Sequence, residues 1–255
     1  MHRLGIAIVS ALSIAAFAQS ASAADLPRKA PAVAPMPMAP AFTWTGFYVG
    51  LHAGWGFTSS SDATVSDNFL LFDPVSLDQG GNGVVGGLQL GYNWQFAPNW
   101  LIGIEGDFSG TGIRETATAP VTFGGAPAGP GFNHIAERDV RWLATLRARL
   151  GFTSGPWLLY VTGGGAWGGI DYTAGPNYAG LYNAVTFDDT ASGWTVGGGF
   201  EYAFNNNWTA RLEYLYIDLD DVTFHNAVVP VPAFSATTTW ENRFNVVRVG
   251  VNYKF

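Results

Sequence analysis

Residues Asn242 to Phe255 read N-R-F-N-V-V-R-V-G-V-N-Y-K-F. Val247, Val249, Val251, Tyr253 and Phe255 share one parity, and Arg248, Gly250, Asn252 and Lys254 share the other. A period of two describes a β-strand with one oily and one wet face. The stretch has no turn after it and closes on an aromatic residue, where a soluble sheet tends to fray into a polar tail. A closing strand of a membrane barrel needs this pattern, because its aromatic residue sits at the lipid–water interface.

Working backwards, the same pattern recurs seven times. Trp44–Phe57 carries Phe47, Val49, Leu51, Ala53, Trp55 and Phe57 against Tyr48, His52 and three glycines. Gly83–Phe96, Trp100–Thr111, Asp139–Phe152, Trp157–Tyr172, Ser192–Phe204 and Trp208–Asp220 alternate in the same way. Eight is an even number, as bacterial barrels require. Three connections are tight and rich in turn formers: Ala97-Pro98-Asn99, Ser154-Gly155-Pro156 and Asn205-Asn206-Asn207. The other four are long: Thr58–Asn82, Gly112–Arg138, Thr173–Ala191 and Asp221–Glu241. The expectation is an all-β fold, an eight-stranded antiparallel up-and-down transmembrane β-barrel with short periplasmic turns and long extracellular loops. Phe96, Trp100, Phe152, Trp157, Phe204, Trp208, Tyr253 and Phe255 cluster beside the short turns and form the expected periplasmic aromatic girdle, with Phe57, Trp167 and Trp194 marking the other.

Composition agrees with this. Charged residues are 12% and aromatics 15% of the chain, with 33 glycines. That charge content is about half the share usual in soluble domains. No stretch after the N-terminus has the ~18 consecutive apolar residues of a membrane helix. The absence of Cys removes disulfides and thiolate metal sites. A net charge of −7 argues against nucleic acid as a partner.

Residues 1–23 read as a secretory signal peptide, with Arg3, a short apolar run and the small-residue site Ala21-Ser22-Ala23. Residues 24–43 read as a Pro/Ala-rich periplasmic segment, extended and without a core. It is placed to touch peptidoglycan, although a plain spacer is the simpler reading. Residues 44–255 are the expected barrel.

Parity also sorts the charges. Glu105, Asp107, Glu201 and Glu213 fall on the inner face, as do Arg141, Arg147, Arg149, Arg211, Arg248 and Lys254. An arginine facing hydrocarbon at mid-depth costs about 2–4 kcal/mol, so these groups belong in the lumen. Eight strands enclose just enough room for side chains to fill. The expectation is a plug of ion pairs bridged by Gln89, Asn93 and Tyr160, with Glu105 or Glu213 meeting an arginine of an adjacent strand.

Two G-x-G-x-x-G matches, from Gly81 and from Gly163, lie inside strands and open no helix. They read as bends of a narrow barrel, not as a dinucleotide site. His52 is expected in the lumen, and His134 and His225 in loops. No serine of an adjacent strand is spaced to meet His52, so no catalytic residue is assigned. Many acids, including Asp62, Asp67, Asp73, Asp78, Asp188, Asp189 and Asp221, lie in the long connections without the spacing of a calcium loop. No metal or cofactor is assigned.

Three segments carry a family resemblance: Ala23-Ala24-Asp25-Leu26-Pro27, Trp44-Thr45-Gly46-Phe47-Tyr48-Val49-Gly50 and Arg248-Val249-Gly250-Val251-Asn252-Tyr253-Lys254-Phe255. Together they resemble the small alphaproteobacterial outer-membrane β-barrel proteins, called porin-family or outer-membrane surface-antigen proteins, of the OmpA-like transmembrane-domain clan. The resemblance implies an integral protein of the Gram-negative outer membrane, surface-exposed loops and a part in envelope integrity. It implies outer-membrane lipid, lipopolysaccharide and the barrel-assembly machinery as partners, and no catalytic residues. Some relatives are porin-like or haem-binding, so a narrow porin or small-molecule transporter is the alternative. An enzyme acting on lipid A and a soluble lipocalin-like carrier rank lower. The carrier fails on parity, because it would bury its apolar face inside.

Overall fold

The computed structural model describes residues 42–58, 61–67, 75–127, 129–178, 181–182, 185–227 and 235–255. The expected signal peptide and residues 24–41 of the Pro/Ala-rich segment lie outside them. So do Asp73 and the side chains of Asp62, Asp67, Asp78 and His225.

Eight long strands form the wall. They are β1 (Gly46–Thr58), β2 (Asn82–Ala97), β3 (Trp100–Pro120), β4 (Phe132–Ser154), β5 (Trp157–Tyr178), β6 (Val185–Ala203), β7 (Trp208–Ala227) and β8 (Ser235–Lys254). Each pairs antiparallel with its neighbours in chain order, and β8 returns to β1 with Val49 opposite Tyr253 and Trp55 opposite Val247. The final strand thus lies between β7 and β1, as its alternation predicts. The outer face of the wall is oily: Phe47, Leu90, Ile104, Leu150, Val161, Leu212 and Val249 are all largely exposed.

The structure departs from the sequence expectation in the long connections. Most of their length is strand. A tilted strand needs about 9–11 residues to cross a bilayer. β4 has 23 and β5 has 22, roughly twice that. The strands opposite the short turns therefore run on past the membrane. There β1 has ended, and a hairpin of Ser61–Asp67 and Val75–Gln79 takes its place beside β8.

The extension reverses the character of the wall. On β7 the inward residues run Arg211, Glu213, Leu215, Ile217, Leu219, all buried. The outward ones run Leu212, Tyr214, Tyr216, Asp218, Asp220. Parity is unbroken, but the apolar face passes from outside to inside. Water replaces lipid around the extension, so its oily side chains pack inward as in any soluble sheet. Ile113, Val140, Leu143, Ile170, Leu215, Ile217, Phe244 and Val246 form that inner core, with Tyr172 and Trp240 farther out.

At the short-turn end the first strand starts at Gly46, and not at the expected Trp44. Trp44 is buried in the barrel mouth with Leu101, Leu158, Tyr160 and Ala203, and Phe42 packs against it. Its indole Nε1 donates to the carbonyl of Gly155 at 3.3 Å. Its backbone N–H donates to Gln95 Oε1 at 3.1 Å.

Candidate functional site: the filled lumen

Between the Trp44 floor and the apolar core lies a polar layer whose charged groups sit at inward positions of β3, β4, β6, β7 and β8. Four carboxylates (Glu105, Asp107, Glu201, Glu213) face four guanidinium groups (Arg147, Arg149, Arg211, Arg248), and all eight are buried. Register sets the first pairs. Glu105 lies opposite Arg147 on β3 and β4, with Arg147 Nη2 at 2.5 Å from Glu105 Oε1. Glu213 lies opposite Arg248 on β7 and β8, with Arg248 Nη2 at 2.6 Å from Glu213 Oε2. Long arginines then cross the lumen. Arg147 also reaches Asp107 at 2.9 Å and Glu213 at 3.0 Å. Arg211 reaches Glu105 at 2.5 Å, and Arg248 reaches Asp107 at 2.9 Å. Arg149 bonds Glu201 at 3.2 Å and lies between the rings of Tyr48 and Tyr160, at 5.1 and 4.8 Å from their centroids. Each charge is met by opposite charge, which is what makes burial of ions tolerable.

Glycines give these side chains room. Tyr48, Gly91 and Glu105 occupy one cross-strand row over β1, β2 and β3. The Tyr48 hydroxyl donates to Glu105 Oε2 at 2.6 Å across the bare glycine, and a Cβ on Gly91 would stand 2.3 Å from that hydroxyl. Tyr160, Gly199 and Glu213 repeat the arrangement on β5, β6 and β7, with a hydrogen bond of 3.0 Å. The same geometry joins His52 to Ser109 over Gly87. His52 Nε2 lies 2.8 Å from Ser109 Oγ, and Nδ1 lies 2.8 Å from Gln89 Oε1. Spacing on adjacent strands does not reveal this pair, because a glycine lets the imidazole reach the second strand away.

Other expected members sit elsewhere. Arg141 is not in the lumen. The β4–β5 register shifts between Val140 and Trp142, so Arg141 is an extra residue at a β-bulge. Inward parity passes from Val140 to Leu143, and Arg141 faces outward, 2.8 Å from Asp171. Lys254 is buried but stands at the mouth. Its ammonium donates to the carbonyl of Thr43 and lies 4.8 Å from the Phe42 ring centroid. Gln89 bridges, accepting from Arg211 Nη2 at 2.5 Å and donating to Asn252 at 2.5 Å. Asn93 is buried, and its Oδ1 has no partner among the described residues.

A second buried pair, not foreseen, lies in the extension. Arg138 Nη2 is 2.5 Å from Glu115 Oε2, and Nη1 donates to Asn242 Oδ1 at 2.8 Å. Tyr172 also donates to Asn242, at 3.1 Å, and burial pushes its phenol above the ordinary value. Glu115 and Arg138 fall in the connection Gly112–Arg138, which reads as a loop and gives no inward parity. Beyond them Tyr172, Trp240, Phe187 and Phe224 stack, with centroids 4.9 Å apart for Tyr172–Trp240 and 4.3 Å for Phe187–Phe224.

The aromatic residues beside the short turns lie on the outer surface. Phe96, Trp100, Phe152, Trp157, Phe204, Trp208 and Phe255 are between 45% and 73% exposed, the signature of rings meant for lipid and not for a core. They meet edge to face, as in Trp100–Phe152 at 5.4 Å, Trp208–Tyr253 at 5.1 Å and Tyr253–Phe255 at 5.2 Å.

Sequence comparison with known proteins shows the family. The family model for the outer membrane protein beta-barrel domain matches residues 5–255. The chain is 37% identical over 258 residues to the 31 kDa outer-membrane immunogenic protein of Brucella melitensis biotype 1, covering 97% of this chain and 99% of that protein. It is 28% identical over 225 residues to the 22 kDa outer membrane protein of Rhizobium leguminosarum bv. viciae, covering 86% of this chain and 82% of the other. Among solved structures, the outer membrane protein OprG from Pseudomonas aeruginosa aligns over 83% of this chain and 96% of its own, at 14% identity and a TM-score of 0.44. The chain is a protein of the Gram-negative outer membrane and belongs to the outer membrane protein β-barrel domain family.

Proposed function

We propose that this barrel is a closed structural element of the outer membrane that holds a rigid extension at the cell surface, and that it has no channel or enzymatic activity. One observation carries the reading. Along the barrel axis the lumen holds, in order, the Trp44 floor, the charge network, the apolar core and the Arg138–Glu115 layer under an aromatic stack. Arg147, Ile217, Phe244 and Trp240 are each no more than 2% exposed. An ion crossing this path meets a buried apolar layer as well as a salt-bridged one, and the apolar layer has no charges that could exchange partners to let it through. His52 and Ser109 have the spacing of a base and a nucleophile. They are 5% and 2% exposed beneath those layers, which leaves a substrate no approach. The related Brucella proteins carry the name immunogenic, which accords with a surface extension.

Planar-bilayer recording tests the reading. The full chain is expected to give no discrete conductance steps at pH 7. Reproducible open-channel currents would overturn the closed-lumen reading in favour of a narrow porin.

A further inference from the structure

Among the described residues three cationic side chains face outward: Arg114, Arg141 and Arg243, with side chains 78%, 54% and 42% exposed. Each is the first outward charge past the apolar belt on its strand. Arg243 is hemmed by two acids, Glu241 at 2.8 Å and Asp218 at 3.8 Å. Arg114 and Arg141 are each paired with one acid and are more exposed, and Asp188 of β6 lies opposite Asp171 in the register. The two arginines stand on adjacent strands, Arg114 opposite Asp139 and Arg141 two residues farther along β4. Asp139 and Asp171 hold them at 3.0 and 2.8 Å, with more than half of each guanidinium side chain left to solvent.

The bulge brings them together. With regular pairing Arg141 would point inward, but the extra residue places both Arg141 and Trp142 on the outer face. The Trp142 ring stacks on Phe108 with centroids 5.8 Å apart and lies against Gly169, where a Cβ would come within 2.1 Å of the indole nitrogen. Amphipathic rings of this kind mark the boundary between hydrocarbon and head groups. Two exposed guanidinium groups stand just beyond an aromatic platform. The planar fork of arginine matches phosphate oxygens.

We propose that Arg114 and Arg141, above the Phe108–Trp142 platform, dock a phosphate of outer-leaflet lipopolysaccharide. The test uses the full chain refolded in phosphatidylcholine nanodiscs and titrated with a lipid A–core lipopolysaccharide, intact or enzymatically dephosphorylated. Barrel formation in each variant is checked by heat-modifiable gel migration. Arg114→Gln with Arg141→Gln is expected to weaken binding of the intact lipid about tenfold or more, because each lost arginine removes a favourable contact with an anionic surface. Arg243→Gln is expected to leave it unchanged. Dephosphorylation is expected to reproduce the loss on the unsubstituted chain, an arm that decides the matter even if the double variant fails to fold. Equal binding of the two lipids by the unsubstituted chain, or full binding by a folded double variant, would overturn the proposal.

Discussion

At the scale of single residues, inward glycines decide which polar side chains meet. Gly91 separates Tyr48 from Glu105 by one empty position, and the hydroxyl crosses it. A methyl group there would meet Tyr48 Oη at 2.3 Å and the Ile104 carbonyl at 2.7 Å, and the carbonyl is backbone that has little room to move. Gly91→Ala is therefore expected to destabilise the barrel by about 1–3 kcal/mol, the usual cost of overpacking. Gly86, on the outer face of the same strand, has 3.6 Å to its nearest neighbour. Gly86→Ala is expected to stay within about 0.5 kcal/mol. Urea unfolding in lipid vesicles reads both, and equal effects would mean that the glycine row does not carry the Tyr48–Glu105 contact. Sequence parity put Glu105, Arg147 and Arg211 inside, because charge and period spoke together. It could not find Ser109 beside His52, since that contact depends on what the intervening strand lacks.

At the scale of the strand, β7 carries two environments on one uninterrupted alternation. Leu212 faces lipid, whereas Ile217 is 2% exposed in the core of the extension. An outward Leu212→Arg is expected to cost about 2–4 kcal/mol, the price of a cation against hydrocarbon. Thr223→Arg, outward but beyond the membrane, is expected to stay within about 0.5 kcal/mol. Ile217→Ala is expected to cost about 2–5 kcal/mol, as truncation of a packed core residue does. The three values come from the same vesicle unfolding assay, and a neutral Ile217→Ala would mean that the extension is not packed. This reversal is written in the sequence as outward Asp218 and Asp220 beside inward Leu215, Ile217 and Leu219. The expected strand ends at Asp220 because the alternation past it no longer has an oily outward face. The bulge at Arg141 has no such signal. One extra residue flips every position after it, and composition does not say where the extra residue falls.

At the scale of the whole molecule, two classes of ion pair coexist. The lumen pairs are shielded on all sides, with side-chain exposures of 0% for Arg147 and Arg211 and 2% or less for Glu105 and Glu213. The outward pairs of Arg114 and Arg141 stand in solvent. Raising salt from about 0.1 to 1 M shortens the screening length from about 10 to about 3 Å and weakens exposed pairs far more than buried ones. The thermal midpoint in phosphatidylcholine vesicles is therefore expected to move by less than about 2 °C over that range, since surface pairs contribute little and buried ones are not screened. A large salt-dependent fall would mean that water and ions reach the network. By itself the sequence determined the eight wall strands, their antiparallel closure and the alternation that separates oily from charged positions. Each of these follows from a period of two read against a solvent that will not accept charge. Only the tertiary structure decided how far the strands run, which residues the bulge throws outward and which groups meet across the lumen. Those depend on register and on distances between strands remote in the chain, and a local pattern carries neither. The closing strand shows both sides: its alternation announced Arg248 as an inward charge, but only the closed barrel brings Asp107 of β3 to 2.9 Å from it.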